Sequence, residues 1–109
     1  MVIRIDARQL TDSAKLHAAL NQAFGFPDTY GRNLDALIDC LTHLDHPKAA
    51  LSRVQVLPGQ VALLVLDHLE AKGKHERQVK ALLDAVAFVN WRRFEGGEPP
   101  VLAVAYARE

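Results

Sequence analysis

The chain has 109 residues, of which 50% are hydrophobic and 24% charged, so it can bury one core and is too apolar to be disordered. Its 13 basic residues balance its 13 acidic ones, which excludes a nucleic-acid binder that works through bulk positive charge. A single cysteine excludes an internal disulfide and a thiolate zinc site, and the longest apolar run, Val61 to Leu66, is too short to span a bilayer. Because the N-terminus also lacks the apolar core of a signal peptide, we expect one domain over residues 1–109 in a reduced, cytoplasmic, water-soluble protein.

A strand and then a helix are predicted at the start of the chain. The strand is rich in β-branched residues and runs from Val2 to about Ala7. The helix begins at 11–13, where three side-chain oxygens can cap its first turn, and Gly25 ends it. Its apolar stripe has helical spacing and consists of Leu16, Leu20, Ala23 and Phe24.

A second helix is predicted from Asn33, a good N-cap residue, after a turn in which Gly31 can adopt a positive φ. We expect it to end at His46, because the residue before a proline is pushed out of the α region. Its buried face is predicted to consist of Leu34, Leu37, Leu41 and Leu44. At about 100° per residue, the opposite face consists of Asp35, Asp39, Thr42 and His46.

The second half of the chain predicts a strand, a long helix and a last strand. Residues 53–56 alternate weakly and predict either an extra strand or an extended loop, before a turn at 58–59. Residues 61–66 are apolar on both strand faces, as in a central parallel strand covered by helices. The helix is expected over about 75–92 and the last strand over 101–106. The core stripe of this helix is predicted to be Val79, Leu82, Leu83 and Val86.

This order of elements predicts an α/β fold with a small three-stranded parallel β-sheet packed against helices. Strands that alternate with helices favour parallel pairing through right-handed crossovers. We expect the helices to lie together on one face of the sheet, without repeats or an interdomain linker.

Two carboxylates are predicted one turn apart on the outer face of the second helix. Asp35 lies in the first turn, where the helix dipole favours a negative charge, and Asp39 lies one turn further. Like charges at this spacing repel by a few tenths of a kcal/mol, which favours a cationic partner. Spacing alone, however, is more typical of a solvated helix face with a capping aspartate.

The segment around these aspartates resembles a known family. Residues 26–42 read Phe-Pro-Asp-Thr-Tyr-Gly-Arg-Asn-Leu-Asp-Ala-Leu-Ile-Asp-Cys-Leu-Thr. This run is similar to the signature of the barstar family, the intracellular inhibitors of the ribonuclease barnase. The similarity covers residues 1–45 well, whereas beyond residue 47 only the order of elements agrees.

The resemblance implies a barstar-like fold and a non-enzymatic function, in which the second helix and the loop before it block the active-site cleft of a ribonuclease. The carboxylates that match Asp35 and Asp39 would take the place of RNA phosphates and face cationic side chains of the enzyme. The implied contact surface consists of Thr29, Tyr30, Gly31, Arg32, Asn33, Asp35, Ile38, Asp39 and Thr42. Within it, Tyr30, Gly31 and Asn33 would shape the loop, and Asn33 could equally be a structural cap. We expect no cofactor, no metal, and no direct contact with nucleic acid or a membrane.

Departures from the family pattern point away from barnase itself as the target. Thr29 replaces a tyrosine and Ile38 replaces a tryptophan, and aromatic anchors tend to dominate binding energy at interfaces. The chain is neutral, whereas family inhibitors tend to be acidic, and residues 84–92 contain no secure counterpart for the acidic residue of the family's last helix. We therefore expect a divergent member with its own ribonuclease partner, barnase-like or related.

Titratable residues other than the two aspartates of the second helix are not expected to have chemical roles. Cys40 has no base at an activating spacing, so we expect a small packing residue. Asp67 and His68 follow the central strand, but no glycine-rich phosphate loop comes after them, so we expect a solvated strand end. His17 and His75 are expected on helix surfaces.

Two groups of residues have alternative interpretations. Asp39, His43 and His46 lie on neighbouring helix stripes and could hold a zinc or nickel ion adventitiously, but three ligands on one helix rarely converge on a single ion. Phe88 and Trp91 fall off the core stripe of the third helix. We expect them to curl under the last strand as core; otherwise they mark a second contact surface.

Two other classes of function stay open on the sequence alone. One is a binding module on the same scaffold that docks a non-nuclease protein, and a pull-down without a ribonuclease would favour it. The other is a small hydrolase or metal-dependent enzyme that uses aspartates and histidines. The sequence lacks a convergent triad or metal-ligand spacing for this second class, and loss of turnover in Asp67→Asn would support it.

Overall fold

The elements follow one another in the predicted order. The computed structural model describes residues 1–70 and 72–108. In this part of the chain there are three strands and three longer helices, namely β1 (Val2–Asp6), α1 (Ser13–Phe24), α2 (Leu34–Thr42), β2 (Ala62–Asp67), α3 (Glu76–Glu95) and β3 (Leu102–Tyr106). Short 3-10 turns lie at Ala7–Gln9 and Pro47–Ala49. The predicted α/β class is confirmed.

The strands form one parallel sheet in the order β1-β2-β3, so β2 is central as predicted. Ile3 pairs with Leu64, and Leu64 pairs with Val104, which sets the register of the sheet. Because side chains alternate along a strand, these residues face the helices while Val2 and Arg4 point to the other side and are exposed. The buried stripes of all three helices join one core on that first face of the sheet.

The first helix has the caps that its sequence predicts. The carboxylate of Asp12 accepts a hydrogen bond of 2.8 Å from the backbone N–H of Lys15, which satisfies one free donor of the first turn. Gly25 ends α1 with φ of 69°, a conformation that glycine adopts without strain. The buried residues of α1 include Leu16, Leu20 and Phe24 of the predicted stripe.

The third helix is longer than predicted and runs to Glu95, because its buried face continues beyond Val86. Leu83, predicted as core, is only partly buried. The side-chain amide of Asn90 bridges α3 to the start of β3 by donating to the Leu102 carbonyl at 2.9 Å and accepting from the Val101 N–H at 3.1 Å. No helix among the described residues combines the length and the apolarity that a membrane span requires.

Residues 53–56, which predict either a strand or an extended loop, form a loop that is tied to the helices. The backbone N–H of Arg53 donates to the Phe24 carbonyl at 3.0 Å, and the N–H of Val56 donates to the Leu44 carbonyl at 2.9 Å. These hydrogen bonds use carbonyls at and beyond helix ends rather than a neighbouring strand, so no ladder forms. The predicted turn is confirmed, with φ of 82° at Gly59.

The second helix ends at Thr42, so the prediction that it continues to His46 is wrong. The physical reason is that the Arg93 guanidinium donates to the Thr42 carbonyl at 2.9 Å and takes the place of a further helical hydrogen bond. Leu44 stays buried beyond the helix end, as predicted. Leu34, predicted as core, is 41% exposed because it lies in the first turn of α2, beside a groove rather than over the sheet.

The expectation that Phe88 and Trp91 belong to the core is wrong. Their exposed fractions are 49% and 55%. Val89 occupies the buried side of α3 at that level of the helix, and Phe88 and Trp91 are rotated from it by about 100° and 200°. Neither ring therefore lies on the buried side of α3, and Phe88 borders a groove between α2 and α3.

The expectation that His17 and His75 lie on helix surfaces is also wrong, since both are buried. His17 lies only about 60° around α1 from Leu20, so it shares the core-facing side of that helix. His75 precedes α3, and its Nε2 atom lies 3.2 Å from the backbone nitrogen of Glu70.

Candidate functional site

The loop before α2 is held by the side chain of Asn33. Its Oδ1 atom accepts a hydrogen bond of 2.8 Å from the Ala36 N–H and caps the helix, as predicted, and its Nδ2 atom donates to the Gly31 carbonyl at 3.4 Å. The left-handed residue of the turn is Arg32, with φ of 53°, and not Gly31. At Gly31 a Cβ atom would lie 3.2 Å from Asn33 Nδ2, so a larger residue there would require the Asn33 side chain to shift slightly.

The two carboxylates of α2 both lie on its exposed side. The side chain of Asp39 is 64% exposed, and its Oδ1 atom lies 3.6 Å from an Arg92 guanidinium nitrogen, beyond direct hydrogen-bond distance. Asp35 is exposed in the first turn and has no hydrogen-bond or ion-pair partner in residues 1–70 and 72–108. An exposed, long ion pair contributes little, so both carboxylates stay accessible to a partner.

Tyr30 points inward, so its ring is not available for direct contact with a partner. Its hydroxyl lies 2.5 Å from Nδ1 of His17, and its ring packs at 4.7 Å from the ring of Phe26. Burial raises the pKa of the Tyr30 hydroxyl, while burial and then the charge of Arg32 lower the pKa of His17. Both groups are therefore neutral at pH 7 and share a buried hydrogen bond that anchors the loop to α1.

Tyr30→Phe is expected to lower the free energy of unfolding by about 1–3 kcal/mol, because it leaves the buried His17 ring nitrogen without its partner. The measurement is urea denaturation followed by circular dichroism. Tyr106→Phe removes the same atom from an exposed residue and is expected to change the free energy by less than about 0.5 kcal/mol. Equal effects of the two changes would contradict the anchoring role of Tyr30.

The lowered pKa of His17 predicts a loss of stability on mild acidification. A histidine whose folded pKa lies below its unfolded value of about 6.5 binds a proton more readily when unfolded. Stability therefore falls as the pH drops below about 6.5 towards the folded pKa. His17→Gln removes this titration, so its free energy of unfolding is expected to depend less on pH than that of the wild type between pH 6.5 and 5. Identical slopes for the two proteins would contradict this assignment.

The remaining predicted contact residues divide into exposed and half-buried positions. Thr29 and Arg32 are exposed on the loop, and Ile38 is half-buried on α2. Thr42 is half-buried, and its hydroxyl donates to the Ile38 carbonyl at 2.6 Å, one turn earlier in the same helix. We name the exposed surface of the loop and of the outer side of α2 the acidic face; it consists of Thr29, Arg32, Asn33, Asp35, Ile38 and Asp39.

The C-terminal end of α2 is held by a buried arginine that the sequence analysis missed. The Arg93 side chain is only 2% exposed, and two of its nitrogens donate to the carboxylate of Asp45 at 2.9 and 2.7 Å. It also donates to the Thr42 and Pro99 carbonyls, and it lies 3.1 Å from a carboxylate oxygen of Glu98. We name Arg93, together with Asp45, Glu98 and the Thr42 and Pro99 carbonyls, the Arg93 clasp. The sequence does contain a sign of this role: Arg93 follows the buried Val89 at helical spacing, just past the predicted end of α3.

Comparison with known proteins identifies the family. A family model described as Barstar (barnase inhibitor) matches residues 1–101. The chain belongs to the Barstar family. It is also 55% identical over 40 residues to a Bacillus subtilis (strain 168) protein named "Putative ribonuclease inhibitor YrdF". That stretch is 37% of this chain and 44% of the relative, so the chain spans less than half of the relative's length.

The group of potential metal ligands in this Barstar-family protein differs from the one that the sequence suggested. Asp45, His46 and Glu98 each place one ligand atom within 4.8 Å of the others, whereas Asp39, His43 and His46 form no such group in the part of the chain that the structure describes. The guanidinium of Arg93 already contacts both carboxylates, and this contact lowers the pKa of Asp45. The donor set therefore fits a guanidinium, which the chain itself supplies, rather than a metal ion.

Cys40 and Asp67 have structural environments in this Barstar-family protein. Cys40 is buried, and burial raises the pKa of its thiol, so the reactive thiolate is disfavoured as expected. Asp67 accepts two hydrogen bonds from the Arg4 guanidinium, at 3.0 and 2.7 Å, which hold the pKa of its carboxyl below the usual value. The carboxylate at the end of β2 is thus engaged with β1.

Proposed function

We propose that this protein binds a ribonuclease and inhibits it by placing Asp35 and Asp39 in the catalytic cleft, where RNA phosphates would lie. The observation that carries the proposal is the pair of accessible carboxylates one turn apart on α2, inside the segment that resembles the barstar signature. Membership of the Barstar (barnase inhibitor) family supports the same role, as does the name of the Bacillus subtilis relative.

The chemistry of such an inhibitor is electrostatic and involves no covalent step. A ribonuclease cleft must stabilise phosphate charge, so it contains cationic side chains, and carboxylates form strong charge-assisted hydrogen bonds with them. Asn33 caps the start of α2 and the Arg93 clasp holds its end, so the carboxylates are presented on a preformed element. Preorganisation reduces the entropy lost on binding. On this proposal the protein is not an enzyme: it acts by occlusion in the compartment where the nuclease is a hazard, the cytoplasm.

The target we propose is a secreted or toxin-type ribonuclease related to barnase rather than barnase itself. Thr29 and Ile38 replace aromatic residues of the family pattern, and Arg32 adds a positive charge to the acidic face. A cleft without large apolar pockets opposite α2 would suit these residues, because Thr29 and Ile38 are smaller than the aromatic side chains of the family pattern.

The test is complex formation with a panel of secreted bacterial ribonucleases that includes barnase. We expect at least one ribonuclease to form a one-to-one complex with the protein, as measured by light scattering. The protein is expected to inhibit RNA hydrolysis by this ribonuclease. A nucleotide that occupies the cleft is expected to displace the protein from the complex. Competition by the nucleotide checks that the cleft is the binding site. A complex that forms without inhibition or competition, or no complex with any ribonuclease, would overturn the proposal in favour of a module that binds a non-nuclease protein.

A further inference from the structure

A row of exposed aromatic residues lies on α3. Phe88, Trp91 and Phe94 are spaced by three residues, and their exposed fractions are 49%, 55% and 69%. The ring centroids of Trp91 and Phe94 lie 5.5 Å apart, and Phe88 lies one turn before Trp91 on the same helix. We name these three residues the aromatic stripe. Large contiguous apolar patches on a protein surface are typical of interaction sites.

The aromatic stripe is continuous with the acidic face. Phe88 lines one groove of about 310 Å³ together with residues of both helices, namely Leu34 and Ile38 of α2 and Ala81, Asp84 and Ala85 of α3. One residue beyond Trp91, Arg92 reaches the carboxylate of Asp39 at 3.6 Å. The exposed surface therefore runs from Asp39 and Ile38 across the groove to Phe88. Trp91 lies one turn further along α3, on the neighbouring part of the same helix surface.

We propose that the aromatic stripe is the second half of the contact surface for the same ribonuclease, and this inference rests on the proposed function. The cationic cleft would cover Asp35 and Asp39, and the apolar surface beside the cleft would cover Phe88 and Trp91. Interfaces usually combine charged groups with a few aromatic anchors that dominate the energy. On the acidic face only Ile38 is apolar, so α3 supplies anchors that α2 does not.

Charge complementarity favours this occupant over a second copy of the chain. The acidic face and the groove beside it contain three carboxylates, those of Asp35, Asp39 and Asp84, against two cations, Arg32 and Arg92, so this surface carries a net negative charge. A second copy would bring an equally acidic surface against it, and like charges in contact oppose binding. A ribonuclease cleft presents the opposite charge to the same surface.

The experiment uses the ribonuclease that the wild-type protein binds, with affinity measured by isothermal titration calorimetry. Phe88→Ala and Trp91→Ala are each expected to weaken binding at least tenfold without changing the thermal unfolding midpoint, because both rings are exposed in the free protein. Tyr106→Ala is the matched control, since Tyr106 is equally exposed and lines a different groove with Val79 and Leu83. It is expected to change the dissociation constant by less than twofold.

A second readout follows Trp91 directly, since it is the single tryptophan of the chain. Labelled with 5-fluorotryptophan, the protein is expected to give one fluorine resonance that shifts when the ribonuclease is added. This inference would be overturned, but not the proposed function, if the wild type and the two alanine variants bound the ribonuclease equally well and the resonance did not shift. A resonance that shifts with the concentration of the free protein would overturn it in favour of a second copy. If no ribonuclease binds the wild type, both proposals fail.

Discussion

Arg93→Ala is expected to lower the free energy of unfolding by about 3–5 kcal/mol, the size found when one partner of a buried ion pair is removed. The Arg93 guanidinium is almost fully buried and forms two hydrogen bonds with Asp45, so its removal leaves a largely buried carboxylate without compensation. It also leaves the Thr42 and Pro99 carbonyls without donors. Urea denaturation with an unchanged denaturant slope is the measurement.

The neighbouring arginine provides the matched control. Arg92→Ala removes the same kind of side chain from an exposed position and is expected to change the free energy of unfolding by less than about 0.5 kcal/mol. A loss below about 1 kcal/mol in Arg93→Ala would show that the clasp does not stabilise the fold.

The acid dependence of stability gives an independent check of the same clasp. Arg93 lowers the pKa of Asp45 in the folded protein, so the ion pair stabilises the fold above the unfolded pKa of about 3.9. That stabilisation is lost as the pH falls through the lower, folded pKa. Without Arg93 the pKa of Asp45 is no longer lowered by this partner. The difference in stability between wild type and Arg93→Ala is therefore expected to shrink below about pH 4.

The order and class of the elements were predictable because they depend on local patterns. The spacing of Leu16, Leu20 and Phe24, the caps at Asp12 and Asn33, and the apolar run of β2 each act within a few residues. Burial at the edges of these stripes was not predictable in the same way. The polar His17 is buried and the apolar Leu34 is exposed, because the burial of both depends on which other elements cover them.

The candidate site was predictable only in its contiguous part. Residues 26–42 form a run whose resemblance to a family can be detected without any structure. The inward direction of Tyr30 depends on His17, thirteen positions earlier, and the Arg93 clasp joins residues 48 positions apart. Contacts at such separations leave little trace in local spacing. An arginine at a core-facing helix position is the one sign that a buried carboxylate partner had to exist.

The long-range contacts explain how a nine-residue helix can present charge with a fixed geometry. A helix of this length is marginal in water by itself, so packing and caps must hold it. Asn33 fixes its first turn, the buried Tyr30 fixes the loop before it, and the Arg93 clasp fixes its last carbonyl. The carboxylates themselves contribute none of these contacts, so they can be changed without loss of the fold.

Asp39→Ala is therefore expected to weaken ribonuclease binding strongly while leaving stability within about 0.5 kcal/mol of wild type. Truncation of one partner of a buried, hydrogen-bonded charge pair at an interface costs about 2–5 kcal/mol, a range drawn from complexes that include barnase–barstar itself. This corresponds to a dissociation constant about 30-fold to about 4,000-fold higher. Asp35→Ala is expected to act in the same direction. Titration calorimetry at several salt concentrations is the measurement, and the salt dependence should become weaker in both variants.

Arg92→Ala is expected to change the binding affinity in the opposite direction. This difference separates charge complementarity from general damage to the surface. Arg92 lies beside Asp39 and opposes a cationic cleft, so its removal is expected to strengthen binding by about 0.3–1 kcal/mol, or about twofold to fivefold. Weakened binding in Arg92→Ala would mean that its side chain contacts the ribonuclease directly. Unchanged binding in both aspartate variants would mean that the ribonuclease recognises another part of the molecule, and phosphate mimicry by α2 would then be wrong.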